Sequence, residues 1–177
     1  MVALKRIDEQ VGNVTITQKE MPNGETRTRT KFLDGTTSSL TTMGDWPCNE
    51  SLPWQEAHYH VGLIEDYLVL EGWICIVACR LGERPIYMTY RAGTHSRIDP
   101  DIAHSVLLGP HTMLVTATHG SPVGNPEKKG NDWWPYPDID TLIEQDMQGP
   151  VGFFIKAMAM GIGSRNTDEL DDIEYPR

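Results

Sequence analysis

Cysteine is scarce in this sequence, which contains only Cys48, Cys75 and Cys79 among its 177 residues. A small, odd number of cysteines argues against a disulfide framework. Cys75 and Cys79 fall within one apolar run, where four residues of strand span about 13 Å, whereas a disulfide needs Cα atoms within about 7 Å. We therefore expect buried, reduced thiols and, by default, a cytoplasmic location.

Long apolar runs and an excess of basic residues are also missing. No stretch approaches the roughly 20 apolar residues of a membrane span. Lys and Arg total 15 against 25 Asp and Glu, which gives a net charge of -10. Such a chain repels the backbones of nucleic acids and anionic membrane surfaces. We therefore expect neither a nucleic acid nor a membrane as a partner.

Strand patterns dominate the residues that are present. The segments VTITQ (14–18) and TRTRTKF (26–32) alternate as half-buried strands do, and the Pro-Asn-Gly sequence at 22–24 is a turn signal. A hairpin is predicted here. Between residues 54 and 119, short apolar segments follow one another, separated mostly by Gly or Pro and without a helical period. This pattern predicts an all-β sandwich or barrel.

The pattern changes after a segment at 120–137 that is rich in Gly, Pro and Asn. Helical spacing of apolar residues begins at Ile139, Thr141 and Glu144 fit a capping box, and Gly149-Pro150 ends the pattern, so one short helix is predicted. Segment 151–163 is apolar and fits either a helix or a strand. We interpret residues 1–177 as a single domain, with N-terminal strands in 1–50, a core in 51–120 and a loop with a helical C-terminal extension in 121–177.

Residues with metal-binding chemistry occur in the central strands. His58 and His60 lie two apart, so on a strand both imidazoles face one side. A turn near Gly62 is expected to return Glu65 beside them on an antiparallel strand. His104 follows a proline-marked turn and can supply a fourth ligand. Three imidazoles and one carboxylate suit one divalent transition metal such as Fe, Mn, Ni or Zn, whereas Ca and Mg prefer oxygen ligands.

The first part of this pattern resembles a motif of the cupin superfamily, G-x5-H-x-H-x3,4-E-x6-G. His58, His60, Glu65 and Gly72 match it at every spacing after the opening glycine, and Pro53 stands near the place of that glycine. The resemblance implies a cupin-type double-stranded β-helix, or jelly-roll barrel, here with a short C-terminal helix.

The second cupin motif, G-x5-P-x-G-x2-H-x3-N, is matched more loosely. Gly93, Pro100 and His104 resemble it, but Asp99-Pro100-Asp101 replaces the usual Pro-Pro-Gly and Leu108 replaces the final Asn. The resemblance as a whole covers roughly residues 45–120, and the flanking parts of the chain add nothing to it.

The resemblance implies several activities, because one fold carries many functions. Cupins include oxygenases, decarboxylases and isomerases that depend on a metal, metal-free epimerases and isomerases of sugar nucleotides, and sensors without catalysis. Glu65 favours a metal site, since the metal-free members do not need it. The first interpretation is a metal-dependent enzyme acting on a small polar molecule, with an oxygenase slightly favoured over an isomerase. A non-catalytic ligand-binding or sensor cupin and a metal-free sugar-nucleotide isomerase or epimerase remain alternatives.

Three further side chains are candidates for the site. If Glu65 points inward, strand parity turns Tyr67 inward as well, where it can serve as a catalytic acid–base or orienting group. His95 and Arg97 precede His104 in a loop expected near the barrel mouth, and Arg97 can bind a carboxylate or phosphate of the substrate. A homodimer is also expected, since isolated sheet edges invite pairing, with the 26–32 strand as the exchanged element.

Overall fold

The computed structural model describes residues 6–34, 36–46, 52–128 and 131–160, so Cys48 lies outside the described part. Contacts divide the chain into two compact units, Met1–Asp140 and Thr141–Arg177. The single-domain interpretation stays a prediction. No helix in the described part is both long and apolar enough to cross a membrane.

The first unit is built from antiparallel strands. In chain order they are β1 (Arg6–Val11), β2 (Val14–Glu20), β3 (Glu25–Lys31), β4 (Thr37–Met43), β5 (His58–Tyr59), β6 (Leu63–Glu71), β7 (Trp73–Arg80), β8 (Ile86–Arg91), β9 (His95–Ile98), β10 (Ile102–Leu108), β11 (Met113–Gly120) and β12 (Trp134–Pro135). A 3₁₀ turn lies at Pro126–Lys128.

The strands form two sheets. The larger has the order β1-β2-β3-β4-β11-β6-β9, and the smaller has the order β12-β5-β10-β7-β8. From β5 onward the chain crosses repeatedly between the two sheets, with only β7 and β8 following one another in the same sheet, as in a jelly roll, and this confirms the predicted all-β fold. The short C-terminal helix is confirmed as well and is followed by a second one.

The predicted N-terminal hairpin is present as β2 and β3, which pair in an antiparallel register. The backbone N–H of Gly24 closes the turn by donating to the Met21 carbonyl. However, β3 is paired on its other side with β4. Both of its edges are therefore paired within the chain, and the exchange of this strand with a twin stays a prediction. Within the described residues, the corresponding edge of the larger sheet is β1.

The apolar core lies between the two sheets and includes the ring of Tyr67. Inward-facing side chains alternate along β6, where Glu65 and Tyr67 are followed by Val69. The buried cluster around Val69 includes Ile74, Ile76, Ala78, Ile98, Val106, Leu108 and Leu114. Each fully buried aliphatic side chain of this kind stabilises the fold by about 1.5–3 kcal/mol. The free thiols of Cys75 and Cys79 are buried, as predicted.

Two helices follow the strands, α1 (Pro137–Asp146) and α2 (Pro150–Ala159). The predicted capping box is wrong, because Thr141 lies inside α1 rather than before it. Proline is well suited to the first helical position, where its fixed φ fits and its missing N–H costs nothing, so Pro137 begins the helix instead. Segment 151–163, whose apolar pattern fitted either a helix or a strand, is helical as far as Ala159. Its last residues, 161–163, lie outside the described part.

Candidate metal centre

Four side chains from three strands and one connecting segment meet inside the first unit. His58 lies on β5, His60 just beyond it, Glu65 on β6 and His104 on β10. Each is buried, and His104 has no accessible surface. One nitrogen or carboxylate oxygen from each of the four lies within 4.8 Å of all the others. The structure thus brings together the four residues that the sequence grouped, and their role as ligands stays a prediction.

The route by which Glu65 reaches the histidines differs from the expected one. A simple hairpin would pair β5 with β6, but β5 pairs with β10 and β12 in the smaller sheet, whereas β6 belongs to the larger sheet. His58 is directly opposite His104 in the β5–β10 pair. The segment around Gly62 therefore carries the chain from one sheet to the other, and the Glu65 carboxylate faces the imidazoles across the interior.

Backbone carbonyl groups hold all three imidazole rings through Nδ1. The carbonyl oxygens are those of Glu56 (2.9 Å from His58 Nδ1), Ile102 (3.1 Å from His104 Nδ1) and Asp132 (bound to His60 Nδ1). A carbonyl can only accept, so each Nδ1 carries the proton, and Nε2 of a neutral ring keeps its lone pair. Such an outer hydrogen bond typically fixes the tautomer and orientation of a metal-binding histidine.

The inward-facing atoms suit a cation. His104 Nε2 lies 3.0 Å and His60 Nε2 3.5 Å from oxygens of Glu65. His60 Nε2 is buried and makes no hydrogen bond within the described residues. Lone pairs that face a carboxylate at these distances repel one another unless a proton or a metal ion lies between them. Three nitrogens and one carboxylate form a donor set that transition metals accept, so the residues present fit such an ion.

The charges of the site follow from burial and mutual contact. Burial tends to raise the pKa of Glu65, but its contacts with His104 and His60 outweigh burial and hold this pKa well below its usual value. Burial, together with the nearby His104, lowers the pKa of His58 to about 3. Burial also opposes the charge of His60, yet the Glu65 carboxylate raises the pKa of this ring overall. The site therefore contains an ionised Glu65 and a neutral His58, the forms that bind metals.

Tyr67 lies beside this group, as strand parity predicted. Its hydroxyl donates a hydrogen bond to Glu65 Oε2 at 2.6 Å and lies 3.3 Å from His104 Nε2. Burial and the Glu65 charge raise the pKa of Tyr67 well above its usual value. The phenol thus remains protonated and is a donor that orients the carboxylate. Its catalytic role stays a prediction.

His95 and Arg97 lie on the other face of the larger sheet. In the β6–β9 pair, Arg97 is opposite Asp66, and Glu65 is opposite Ile98. Arg97 Nε donates to Asp66 Oδ1 at 3.1 Å, and His95 Nε2 lies 3.0 Å from the same oxygen. The structure therefore does not bring these two residues together with the four central ones. Their predicted contact with substrate stays a prediction.

Sequence reasoning missed two residues that contact the site. Asp132 accepts hydrogen bonds from the backbone N–H groups of Val61 (2.9 Å) and Gly62 (2.8 Å), while its own carbonyl holds His60. The Trp133 ring stacks on His58 at a centroid distance of 5.1 Å. Both belong to a segment rich in Gly, Pro and Asn whose pattern indicates only a loop, and no local signal shows where that loop packs.

Two positions of the motifs have clear structural reasons. Gly72 lies between β6 and β7 with φ +74°, and a Cβ atom there would come 2.4 Å from Thr112 Oγ1. Asp101, which replaces the usual glycine of the second motif, has φ 61°, a left-handed conformation that Asp tolerates better than most residues. Its N–H donates to the His60 carbonyl at 2.8 Å, which ties the turn before His104 to the first motif.

Comparisons with known proteins identify a fold but no close relative. No family model matches the chain, and no curated protein matches it in sequence. Among solved structures, oxalate decarboxylase from Bacillus subtilis has a TM-score of 0.50 at 10% identity, covering 81% of this chain and 34% of that one.

Two further structures are similar at lower scores. KdgF from Halomonas sp. has a TM-score of 0.46 at 11% identity, covering 63% of this chain and 89% of that one. The Drosophila melanogaster CENP-C cupin domain has a TM-score of 0.36 at 15% identity, covering 66% and 76%. The strand order, the positions of the two motifs and the similarity to oxalate decarboxylase agree, and the protein has the cupin fold.

Proposed function

We propose that the protein is a metal-dependent cupin enzyme that acts on a small polar organic molecule. One observation carries the proposal: four buried donor atoms converge within 4.8 Å, and backbone carbonyls fix the tautomers of all three imidazoles. An arrangement that only required packing would not need the three rings to be held by backbone carbonyls with their Nε2 atoms grouped around one carboxylate. His58, His60, Glu65 and His104 are the proposed ligands of one divalent Fe, Mn, Ni or Zn ion.

The protein residues supply binding, orientation and a proton site. The metal, when bound, supplies a Lewis acid that polarises an oxygen of the substrate. Glu65 reduces the net charge of the centre, and the backbone carbonyls keep the imidazoles in place. The Tyr67 hydroxyl holds a proton 2.6 Å from Glu65 Oε2 and is the proposed acid–base or orienting group.

An oxygenase is slightly favoured over an isomerase within this proposal. Four protein ligands leave up to two further positions on an octahedral ion, sufficient for a chelating substrate or for a substrate and a second small reactant. A metal-free sugar-nucleotide isomerase is disfavoured, because it gives no reason for Glu65 to be buried among three imidazoles. A binding cupin without catalysis would use the same residues and is distinguished by turnover.

The test is metal analysis of the purified protein followed by assays for activity. We expect close to one transition metal per chain and oxygen uptake with at least one candidate diol or keto acid. The His104→Ala variant, which lacks one proposed ligand, is the control and should show neither. Bound metal without any turnover would favour the binding cupin, and isomerisation without oxygen uptake would favour the isomerase.

A homodimer in the cytoplasm is proposed for the whole protein. The edge strand β1 pairs only with β2 among the described residues, and open sheet edges favour pairing with another chain. Light scattering at micromolar concentration should give twice the chain mass. A monomer would contradict the proposed assembly and leave the metal centre unaffected.

A further inference from the structure

A row of residues on the inner face of the larger sheet connects the candidate metal centre to an arginine. Arg29 on β3 is opposite Ser39 on β4, Ser39 is opposite Thr116 on β11, and Thr116 is opposite Tyr67 on β6. Directly opposite residues in antiparallel pairs point to the same side. Arg29 therefore lies on the same face of the sheet as Tyr67, three strand spacings or about 14 Å away along the sheet.

Arg29 differs from the neighbouring arginine on the same face. Arg27 Nη2 lies 2.9 Å from Glu25 Oε2, and the fully buried Glu25 also accepts hydrogen bonds from the amides of Asn23 and Gln55. The charge of Arg27 is thus balanced. Arg29 donates only from Nε to Ser39 Oγ at 3.3 Å, and it forms no ion pair with a carboxylate in the described part of the chain.

Arg29 is exposed, but it lies near other charged side chains. The residue is accessible to solvent. Even so, burial by the surrounding protein lowers the pKa of its guanidinium, the nearby Arg27 lowers this pKa further, and the Glu65 carboxylate raises it. Water thus reaches a guanidinium on the face of the larger sheet that carries Glu65 and Tyr67, and we call the space over this face between Arg29 and Glu65 the recess.

We propose that Arg29 binds a carboxylate of the substrate, so that the enzyme acts on a small organic acid whose other end carries oxygen ligands for the metal. This inference rests on the proposed function. A planar guanidinium binds a carboxylate through two parallel hydrogen bonds. One guanidinium without an acidic partner matches a singly charged carboxylate better than a doubly charged phosphate.

The net charge of the recess supports an anionic substrate. A divalent ion carries two positive charges, Glu65 cancels one of them, and Arg29 adds one, while Arg27 and Glu25 cancel each other. The loaded recess therefore has an excess of two positive charges within a chain whose net charge is -10. A dicarboxylate that binds the metal at one end and Arg29 at the other balances this excess.

The test uses 2-hydroxy acids as probes and zinc as the metal, because zinc has no redox chemistry. Zinc-loaded protein is titrated calorimetrically with malate, 2-hydroxyglutarate and 2-hydroxyadipate. Each is compared with the monoacid of equal carbon number: 2-hydroxybutyrate, 2-hydroxyvalerate and 2-hydroxycaproate. Both members of a pair offer the same metal-binding end, so their affinity ratio reports the distal carboxylate alone. The titrations are repeated on Arg29→Met, Arg29→Lys and, as a control on the outer face, Arg97→Met.

At one chain length, the diacid should bind wild type about tenfold or more tightly than the monoacid. This preference should vanish in Arg29→Met, persist in part in Arg29→Lys and remain unchanged in Arg97→Met. Zinc content and thermal unfolding, measured on each variant, show that the variants are folded and loaded.

A zinc-loaded wild type without any preference for diacids overturns the inference and leaves the metal proposal intact. A preference that survives Arg29→Met, or that disappears in Arg97→Met instead, overturns it as well. If wild type binds no zinc and no other transition metal, the proposed function fails, and the inference fails with it. Metal content thus separates the two failures.

Discussion

Two carboxylates lie next to each other on β6, and each is surrounded by basic side chains. Glu65 points inward to His60 and His104, whereas Asp66 points outward to Arg97 and two histidines. The side chain of Glu65 is 11% exposed, whereas the side chains of the outer histidines, His95 and His119, are 59% and 41% exposed. Because each group combines one carboxylate with at least two imidazoles, residue types alone do not distinguish the inner group from the outer group.

The difference between the two groups is in how their charges are balanced. Arg97 supplies the outer group with a permanent positive charge, and solvent screens the rest. The inner group has no such cation at hydrogen-bond distance of Glu65 among the described residues, and its rings are held by backbone carbonyls. Burial and backbone anchoring make the inner group suited to a metal ion, as proposed, whereas the exposed outer group is a surface ion cluster.

The largest expected effect is the loss of a proposed ligand. His104→Ala should lower metal affinity about 100-fold or more, because loss of even an outer-shell partner of a ligand costs 10–100-fold. His119→Ala removes the matching imidazole from the outer group and should retain wild-type affinity. Metal titration of both variants checks this. Equal losses in the two variants would contradict the distinction between the groups.

The second comparison replaces one carboxylate with an amide on each face of the larger sheet. Glu65→Gln should stay folded, because the apolar core does not depend on the carboxylate, but its metal affinity should fall by at least about tenfold. Asp66→Asn should bind metal as wild type does. Thermal unfolding and metal content are measured on both. If Glu65→Gln holds metal as tightly as wild type, Glu65 is not a ligand.

A smaller effect is expected at the backbone anchor of His60. Asp132→Ala removes the carboxylate that accepts from Val61 and Gly62, which loosens the carbonyl that holds His60. Metal affinity should fall about tenfold, as for other outer partners. Glu127→Ala, an exposed acid in the same loop, is the matched control and should bind normally. An equal loss of metal affinity in both variants would mean that the loop as a whole, rather than the Asp132 carboxylate, holds His60 in place.

The smallest expected effect belongs to the outer group and depends on pH. Hydrogen bonding to Arg97 lowers the pKa of Asp66 to about 2, with His119 and His95 adding to this and partial burial opposing it. Because this pKa lies below the usual 3.8, the stabilisation is present above about pH 4 and is lost as pH falls toward 2. Its size is at most about 1 kcal/mol, since water screens such pairs.

Urea unfolding of wild type and Asp66→Asn at about pH 6 and about pH 3 measures this contribution. The variant should be the less stable at the higher pH, and the gap should narrow at the lower one. A gap that widens as the pH falls would have the wrong sign for a carboxylate with a lowered pKa.

The inner group could be predicted because its pattern is local. Two-residue spacing places His58 and His60 on one face, and parity places Tyr67 on the face of Glu65. The contacts of Asp132 and Arg29 could not be predicted, because they depend on how distant segments pack and on the register across four strands. The outward orientation of Arg97 also follows from register, and its position in the sequence near His104 gave the opposite expectation.

The measurement that tests the central claim most directly is X-ray absorption of zinc-loaded wild type, combined with its metal content. The account predicts one zinc per chain with nitrogen and oxygen neighbours at about 2.0–2.1 Å, including the scattering pattern of imidazole rings. A sulfur neighbour at about 2.3 Å would place the ion at a cysteine instead. That result, or failure to bind zinc, iron, manganese and nickel alike, would contradict a metal centre formed by His58, His60, Glu65 and His104.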